Sequence, residues 1–198
     1  MQHYFIEKSH TEKDYFSFNV NFCNQTFTFR SCDSIFSKDE LDLGSATLID
    51  TVLKQVNLNG LGLDFGCGYG AVGIILSKIK NLKMDYADIN GTAIELTQFN
   101  AKQNGVVTNK VIKTDNFTNI SSNYDFIVTN PPIKTGKKLL FSIMDNCFNH
   151  LNKGGSLTVV IRKSHGEESL KKYLTNLFNN CEILKRNKGF YILHSIKN

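Results

Sequence analysis

The feature that most constrains the fold is an apolar strand segment that ends in an acid and runs straight into glycines: Leu63-Asp64-Phe65-Gly66-Cys67-Gly68-Tyr69-Gly70. Glycines at the carboxyl end of a strand permit a tight turn and let a ligand approach the backbone. Leu61–Phe65 reads as this strand and Ala71–Ile79, with its helical apolar period, as the helix that follows. The alternation continues with Lys83–Ala87 as strand and Thr92–Asn104 as helix, then Val111–Thr114 and Phe126–Thr129 as strands. Lys138–Leu151 reads as a helix ended by Asn152-Lys153-Gly154-Gly155. Leu157–Ile161 is almost continuously apolar, as in a strand covered on both faces. Glu167–Phe178 is a helix, and Cys181–Leu184 with Phe190–His194 form a closing hairpin around Asn187-Lys188-Gly189. This pattern predicts an α/β protein with a Rossmann-like, doubly wound, mostly parallel seven-stranded sheet and an antiparallel C-terminal hairpin strand.

The N-terminal part follows a different period. From Tyr15 to Arg30, Phe16, Phe18, Val20 and Phe22 alternate with Ser17, Asn19 and Asn21, and after Asn24-Gln25 the pattern resumes through Phe27 and Phe29. A period of two predicts a β-hairpin with one buried face. Its phenylalanines are expected to sit on the main domain, since a base-stacking platform must keep its rings exposed. Residues 1–35 are therefore read as a hairpin extension and 36–198 as the main domain, which begins with a helix marked by Leu48, Ile49, Val52 and Leu53.

Composition narrows the function classes. No apolar run reaches the length of a membrane span, and the polar start at Met1–Asp14 does not resemble a signal peptide, so the cytoplasm is the expected location. Cys23, Cys32, Cys67, Cys147 and Cys181 form no Cys-x-x-Cys pair, and the five histidines are scattered, so neither a disulfide framework nor a metal site is expected. The net charge of +5 permits nucleic acid as a partner without requiring it.

The glycine spacing Gly66-x-Gly68-x-x-Ala71 also fits a dinucleotide loop. Asp64 separates the two readings, because a carboxylate beside the loop repels a pyrophosphate and suits a ligand bearing an ammonium, such as the methionyl end of S-adenosylmethionine. Gly66, Cys67, Gly68 and Tyr69 are then the cofactor loop. Asp88, with Ile89 beside it, lies roughly twenty residues further on, where a carboxylate can hold ribose hydroxyls. After the third strand, Asp115, Asn116 and Phe117 are placed to meet an adenine with a carboxylate, a backbone N–H and an aromatic wall.

A second motif, Thr129-Asn130-Pro131-Pro132-Ile133, follows the apolar strand Phe126–Thr129 and holds both prolines of the chain. Two prolines fix the backbone and remove two N–H donors. The side-chain oxygen of Asn130 and the carbonyl of Pro131 can accept the two hydrogens of an NH2 group and aim its lone pair at a methyl sulfonium. Catalysis would rest on orientation and electrostatic placement. Methylation of a ring carbon needs a thiol beside the prolines. Position 133 is isoleucine instead. The catalytic candidates are Asn130, Pro131, Pro132 and Ile133.

With these motifs the chain resembles the class I methyltransferases, and more closely the bacterial small-subunit ribosomal RNA guanine-N2 methyltransferases of the methyltransferase C family. The resemblance runs from about Phe36 to the C-terminus and includes Phe36-Ser37-Lys38-Asp39-Glu40-Leu41-Asp42-Leu43-Gly44-Ser45, Asp64–Gly70, Asp88 and Asn130–Ile133 followed by Gly136-Lys137. It implies S-adenosylmethionine as cofactor, Phe36, Asp42 and Ser45 near it, ribosomal RNA or the small ribosomal subunit as partner, and an exocyclic guanine nitrogen as acceptor. Lys134, Lys137 and Lys138 are candidate phosphate contacts. Ile133 departs from the aromatic residue usual in those enzymes, and the second, degenerate domain of the longer members has no counterpart here. Two other readings stay open: a protein glutamine methyltransferase of the release-factor type, which uses a similar Asn-Pro-Pro turn, and a catalytically silent RNA-binding or assembly protein.

Overall fold

The computed structural model describes residues 15–33, 35, 40–132 and 136–198, so the expectations for Phe36, Ile133 and Lys134 lie outside the described residues. Strands β1 (Tyr15–Phe22) and β2 (Gln25–Cys32) form the hairpin. Then come α1 (Leu43–Gln55), β3 (Leu61–Phe65), α2 (Ala71–Lys80), β4 (Lys83–Asp88), α3 (Gly91–Gln103), β5 (Lys110–Lys113) and β6 (Tyr124–Thr129). The chain continues through α4 (Lys137–His150), β7 (Leu151–Arg162), a 3-10 turn at Lys163–His165, α5 (Glu167–Phe178), β8 (Glu182–Asn187) and β9 (Phe190–Ile196).

Seven strands form one sheet in the order β5-β4-β3-β6-β7-β9-β8, parallel through β7 and antiparallel at β9 and β8. Successive side chains of a strand point to opposite faces. Phe126 and Val128 accordingly join one core with residues of α1, α2 and α3, while Ile127 joins the other with residues of α4 and α5. Chain order reverses between β3 and β6, which makes their carboxyl ends the crevice where ligands of such sheets bind.

Most boundaries shift by a few residues from the sequence expectation, and two of the differences have a clear structural cause. The hairpin turns at Cys23 and Asn24, both with positive φ (47° and 60°), one residue earlier than the Asn24-Gln25 break. Residues 152–155 do not form a free loop after α4. The helix stops at His150, and Gly154 N–H donates to the Lys197 carbonyl (2.6 Å) while Lys197 N–H donates to that of Gly155 (2.8 Å), so these residues extend β7. The Lys197 ammonium donates to the carbonyls of Phe148 and Leu151 and so caps the end of α4.

The hairpin is built onto the sheet domain. Phe27 and Phe29 are buried, and Tyr69 of the glycine turn meets Phe18 and Phe29 edge-on at 5.7 and 5.6 Å. Asn100 in the last turn of α3 and Asn104, its C-cap, act as surrogate strand partners for the backbone of β2. Arg30 N–H and Thr28 N–H donate to their side-chain oxygens (2.8 and 3.0 Å), and their amide NH2 groups donate to the carbonyls of the same two residues (2.9 Å each). The Asn100 amide also donates to the Tyr69 carbonyl at 2.8 Å.

Candidate active site

Phe65 and Thr129 are paired neighbours on β3 and β6, and the Thr129 hydroxyl donates to the Phe65 carbonyl at 2.7 Å. Parallel pairing thus sets the glycine turn and the Asn-Pro-Pro turn side by side, although about sixty residues separate them in the chain. Together they border a cleft of about 290 Å³ at the carboxyl end of the sheet.

The glycine turn is shaped by backbone demands. Gly66 and Gly68 have φ of +73° and +56°, which side-chain-bearing residues rarely adopt. A Cβ on either would meet no protein atom closer than 3.9 Å, so the space it would fill is the cleft itself. Gly73 has another role, which its position inside α2 concealed at the sequence level. A Cβ there would lie 2.5 Å from the Tyr86 ring and 3.0 Å from Asp64, so glycine lets α2 close onto β3 and β4.

Two carboxylates flank this turn, Asp88 bonded to the turn itself and Asp64 to the helix after it. Asp88 accepts from Gly68 N–H and Asn90 N–H, each at 2.9 Å. A carboxylate has about four acceptor sites, so ligand hydroxyls can still be held. Burial raises its pKa against the effect of these hydrogen bonds. Asp64 is 1% exposed and accepts from Gly73 N–H at 2.8 Å. Burial pushes its carboxyl up to about 7, opposed by the Gly73 hydrogen bond and aided by the charge of Asp88. A cation beside Asp64 would favour the ionised form.

Across the cleft, Asp42 caps α1 by accepting from Ser45 N–H at 3.0 Å. The Asn130 amide donates to the Ser45 hydroxyl oxygen at 3.0 Å and approaches Asp42 Oδ1 at 3.5 Å. A carboxylate can only accept, so the NH2 side of Asn130 faces Asp42 and its oxygen is turned away from it. Gly44 is small for a local reason, since a Cβ would lie 2.9 Å from both Asp42 Oδ1 and the Phe190 ring.

The structure brings Asp42, Ser45, Asp64, Gly66, Cys67, Gly68, Tyr69, Asp88, Ile89, Asp115, Asn116, Asn130, Pro131 and Pro132 to the cleft lining. Phe117 does not reach it. Asn116 and Phe117 both have positive φ (48° and 72°), and the Phe117 ring stacks on Phe65 at 4.2 Å inside the core. The Asn116 side chain is committed to α4 through Ser142 and Asn146. Lys137 and Lys138 are exposed at the start of α4, outside the lining. The lining also takes in Ile35, Leu139, Ile143 and His165, which the sequence reading missed because they carry no motif and reach the cleft only through tertiary packing. Cys67 lines the cleft but its thiol lies 3.4 Å from Thr97 Oγ1, and burial raises its pKa well above the ordinary value; Cys147 is fully buried and is likewise raised. Among the described residues, no helix is long and apolar enough to cross a membrane.

A seven-stranded sheet with this order, carrying a glycine turn and an acid at the ends of adjacent strands, is the architecture of the class I S-adenosylmethionine-dependent methyltransferases. Residues 26–194 match the methyltransferase small domain, and the chain belongs to that family. It is 37% identical to the uncharacterized protein YbxB of Bacillus subtilis, with 99% of this chain and 98% of that protein covered. It is 31% identical to the ribosomal RNA small subunit methyltransferase C of Vibrio parahaemolyticus over 96% of this chain and 55% of that enzyme. The chain therefore spans about half the length of that ribosomal RNA relative. Among solved structures it is similar to the T. thermophilus 16S rRNA N2 methyltransferase (RsmC) in complex with AdoMet and guanosine, with a TM-score of 0.82, 19% identity, and coverage of 93% of this chain and 51% of that one. A methyltransferase from Pyrococcus furiosus gives a TM-score of 0.69 at 18% identity, covering 78% and 83% of the two chains.

Proposed function

We propose that this methyltransferase acts on nitrogen, with the exocyclic N2 of a guanine in small-subunit ribosomal RNA as the acceptor. We take residues 36–198 as the catalytic domain, 1–35 as an N-terminal β-hairpin extension, and the cytoplasm as its location. The observation that carries the chemistry is the orientation of Asn130. With its NH2 side engaged by Ser45 and Asp42, its side-chain oxygen is left to accept a hydrogen from an incoming NH2 group. The Pro131 carbonyl would take the second hydrogen, and Pro132 offers no N–H to compete for it. An amino nitrogen held by both hydrogens has its lone pair directed along the remaining tetrahedral position.

The cleft residues fit the cofactor. The open space over Gly66 and Gly68 admits a ligand close to the backbone, Asp88 retains acceptor capacity for ribose hydroxyls, and the buried Asp64 favours a nearby ammonium. Asp115 and Asn116 border the adenine end in this reading, with Phe65 as an apolar wall in the place expected of Phe117. When bound, S-adenosylmethionine supplies an electrophilic methyl group on a sulfonium. The chain's contribution is alignment: Asn130 and Pro131 orient the acceptor, and the enclosing Pro132, Leu139 and Ile143 limit water. The raised thiols of Cys67 and Cys147 do not favour a covalent ring-carbon mechanism. The similarity to ribosomal RNA methyltransferases supports RNA over a protein glutamine.

Asn130→Ala is expected to leave S-adenosylmethionine affinity nearly unchanged while lowering methyl transfer about 100-fold, the effect of removing one oriented transition-state contact. Labelled methyl transfer to ribosomal RNA, small ribosomal subunits and a release factor, with the product analysed by mass spectrometry, tests the acceptor. N2-methylguanosine is the expected product. Label on a glutamine overturns the substrate, and label on a ring carbon or ribose oxygen overturns the mechanism. No transfer to any acceptor despite cofactor binding would mark the chain as catalytically silent.

A further inference from the structure

Just outside the cleft the cations form a continuous strip that no motif announces. β9 runs antiparallel to β7, with Phe190 opposite Arg162, so the β8–β9 turn at Lys188-Gly189 returns to the same sheet end as the glycine turn. Lys163 N–H donates to the Gly189 carbonyl at 2.8 Å, which joins that turn to the 3-10 turn after β7. The Arg162 guanidinium lies over the Phe190 ring at 5.0 Å. His165 borders the cleft, and the Lys137 stem passes 3.8 Å from where a Cβ on Gly166 would stand.

Lys137, Arg162, Lys163 and Lys188 are all exposed, and none forms an ion pair with a described carboxylate. The chain has no acid between Leu151 and Gly166 or from Ile183 onward; of the two acids that open α5, Glu167 is buried and Glu168 alone is exposed beside the strip. The acids Asp42, Asp64, Asp88 and Asp115 instead border the cleft itself. Charge is thus unevenly distributed, with acids lining the cleft and cations outnumbering acids on the turns beside it. Lys185 and Arg186 have a different explanation: they lie on the edge strand β8, where charged side chains block strand pairing with another molecule.

We infer that the strip formed by the β7–α5 turn, the β8–β9 turn and the start of α4 binds the phosphodiester backbone of single-stranded RNA on the nucleotides flanking the base that enters the cleft. This rests on the RNA reading of the cleft and adds to it the surface that delivers the substrate. Extended cationic surfaces hold phosphates without reading sequence. An unpaired strand also leaves its target base free to leave the stack at little cost.

The test compares two double charge reversals of equal net charge. Lys163→Glu/Lys188→Glu alters the strip. Lys78→Glu/Lys80→Glu alters two residues in the last turn of α2, at the opposite end of the sheet. Binding to a short fluorescent single-stranded RNA with one central guanine is measured by anisotropy over a salt series, alongside S-adenosylmethionine titration of each variant. The strip variant is expected to bind RNA at least about tenfold more weakly, with a salt dependence shallower by about 1.4, or about 0.7 for each phosphate no longer neutralised. The control should stay within about twofold, and cofactor affinity should be the same in both. Equal weakening in the two variants, or none in the strip variant, overturns the inference, as does wild-type protein that binds no RNA. RNA methylation with an unaltered strip variant would remove the surface while sparing the RNA reading. Strip-dependent RNA binding without methyl transfer would do the reverse.

Discussion

Asp64 combines burial with a task that needs charge. Its pKa of about 7 in the folded protein, against an ordinary 3.8, means that folding takes up a proton between these values. The unliganded protein should therefore lose stability as pH rises from about 4 through about 7, by roughly 4 kcal/mol at most. Asp64→Asn should flatten that dependence in urea melts, because Asn keeps an acceptor for Gly73 N–H. Cofactor affinity should run the opposite way, strengthening as pH rises through about 7 and weakening again once the ligand's α-amino group deprotonates near pH 8 (about 7.7–8.0). Calorimetric titration from pH 5.5 to 9 checks this, and an acidic limb that survives in Asp64→Asn would assign the effect to another group. Ser31 gives a simpler test. Its hydroxyl is buried in β2 with no hydrogen-bond partner, so Ser31→Ala should be neutral or stabilising, by about 1 kcal/mol at most. Loss of stability there would reveal a partner in solution.

At the scale of elements, strands and helices were legible in the sequence because they declare themselves locally. The period-two hairpin, the glycines ending β3 and the prolines ending β6 each set the backbone within a few residues. What depended on long-range pairing was not legible. Residues 152–155 look like a loop until the partner at Lys197 is known. Phe117 looks like a cleft aromatic until two positive φ angles turn its ring onto Phe65. Asp42 and Ser45 were placed near the cofactor by resemblance alone. Their contact with Asn130, more than eighty residues away, belongs to no local pattern. Asn100 and Asn104 are the strongest case: in sequence they are ordinary helix polars, and in the fold they complete a strand edge. Asn100→Ala should cost about 1–3 kcal/mol, because buried backbone groups lose their partners. It should also speed amide exchange at Arg30, with little change at α5. Uniform acceleration across both would mean that the hairpin opens only by global unfolding.

For the whole molecule, the two cores share the central strands, so α1–α3 with the hairpin and α4–α5 should unfold together. A single urea transition, coincident by fluorescence and far-ultraviolet circular dichroism, is the expected result; two transitions would mean that one layer can detach. The Asn100 amide spans two structures at once, holding the Arg30 carbonyl of the hairpin and the Tyr69 carbonyl of the glycine turn. Occupancy of the cleft and docking of the hairpin therefore belong to one equilibrium, and coupling free energies are reciprocal. Any ligand that fastens the turn must tighten the hairpin by the same factor by which a docked hairpin tightens the ligand. The N-terminal strands are thus a remote gauge of the cleft: a label on exposed Cys23, at the tip between β1 and β2, would report cofactor arrival from a place the cofactor never touches.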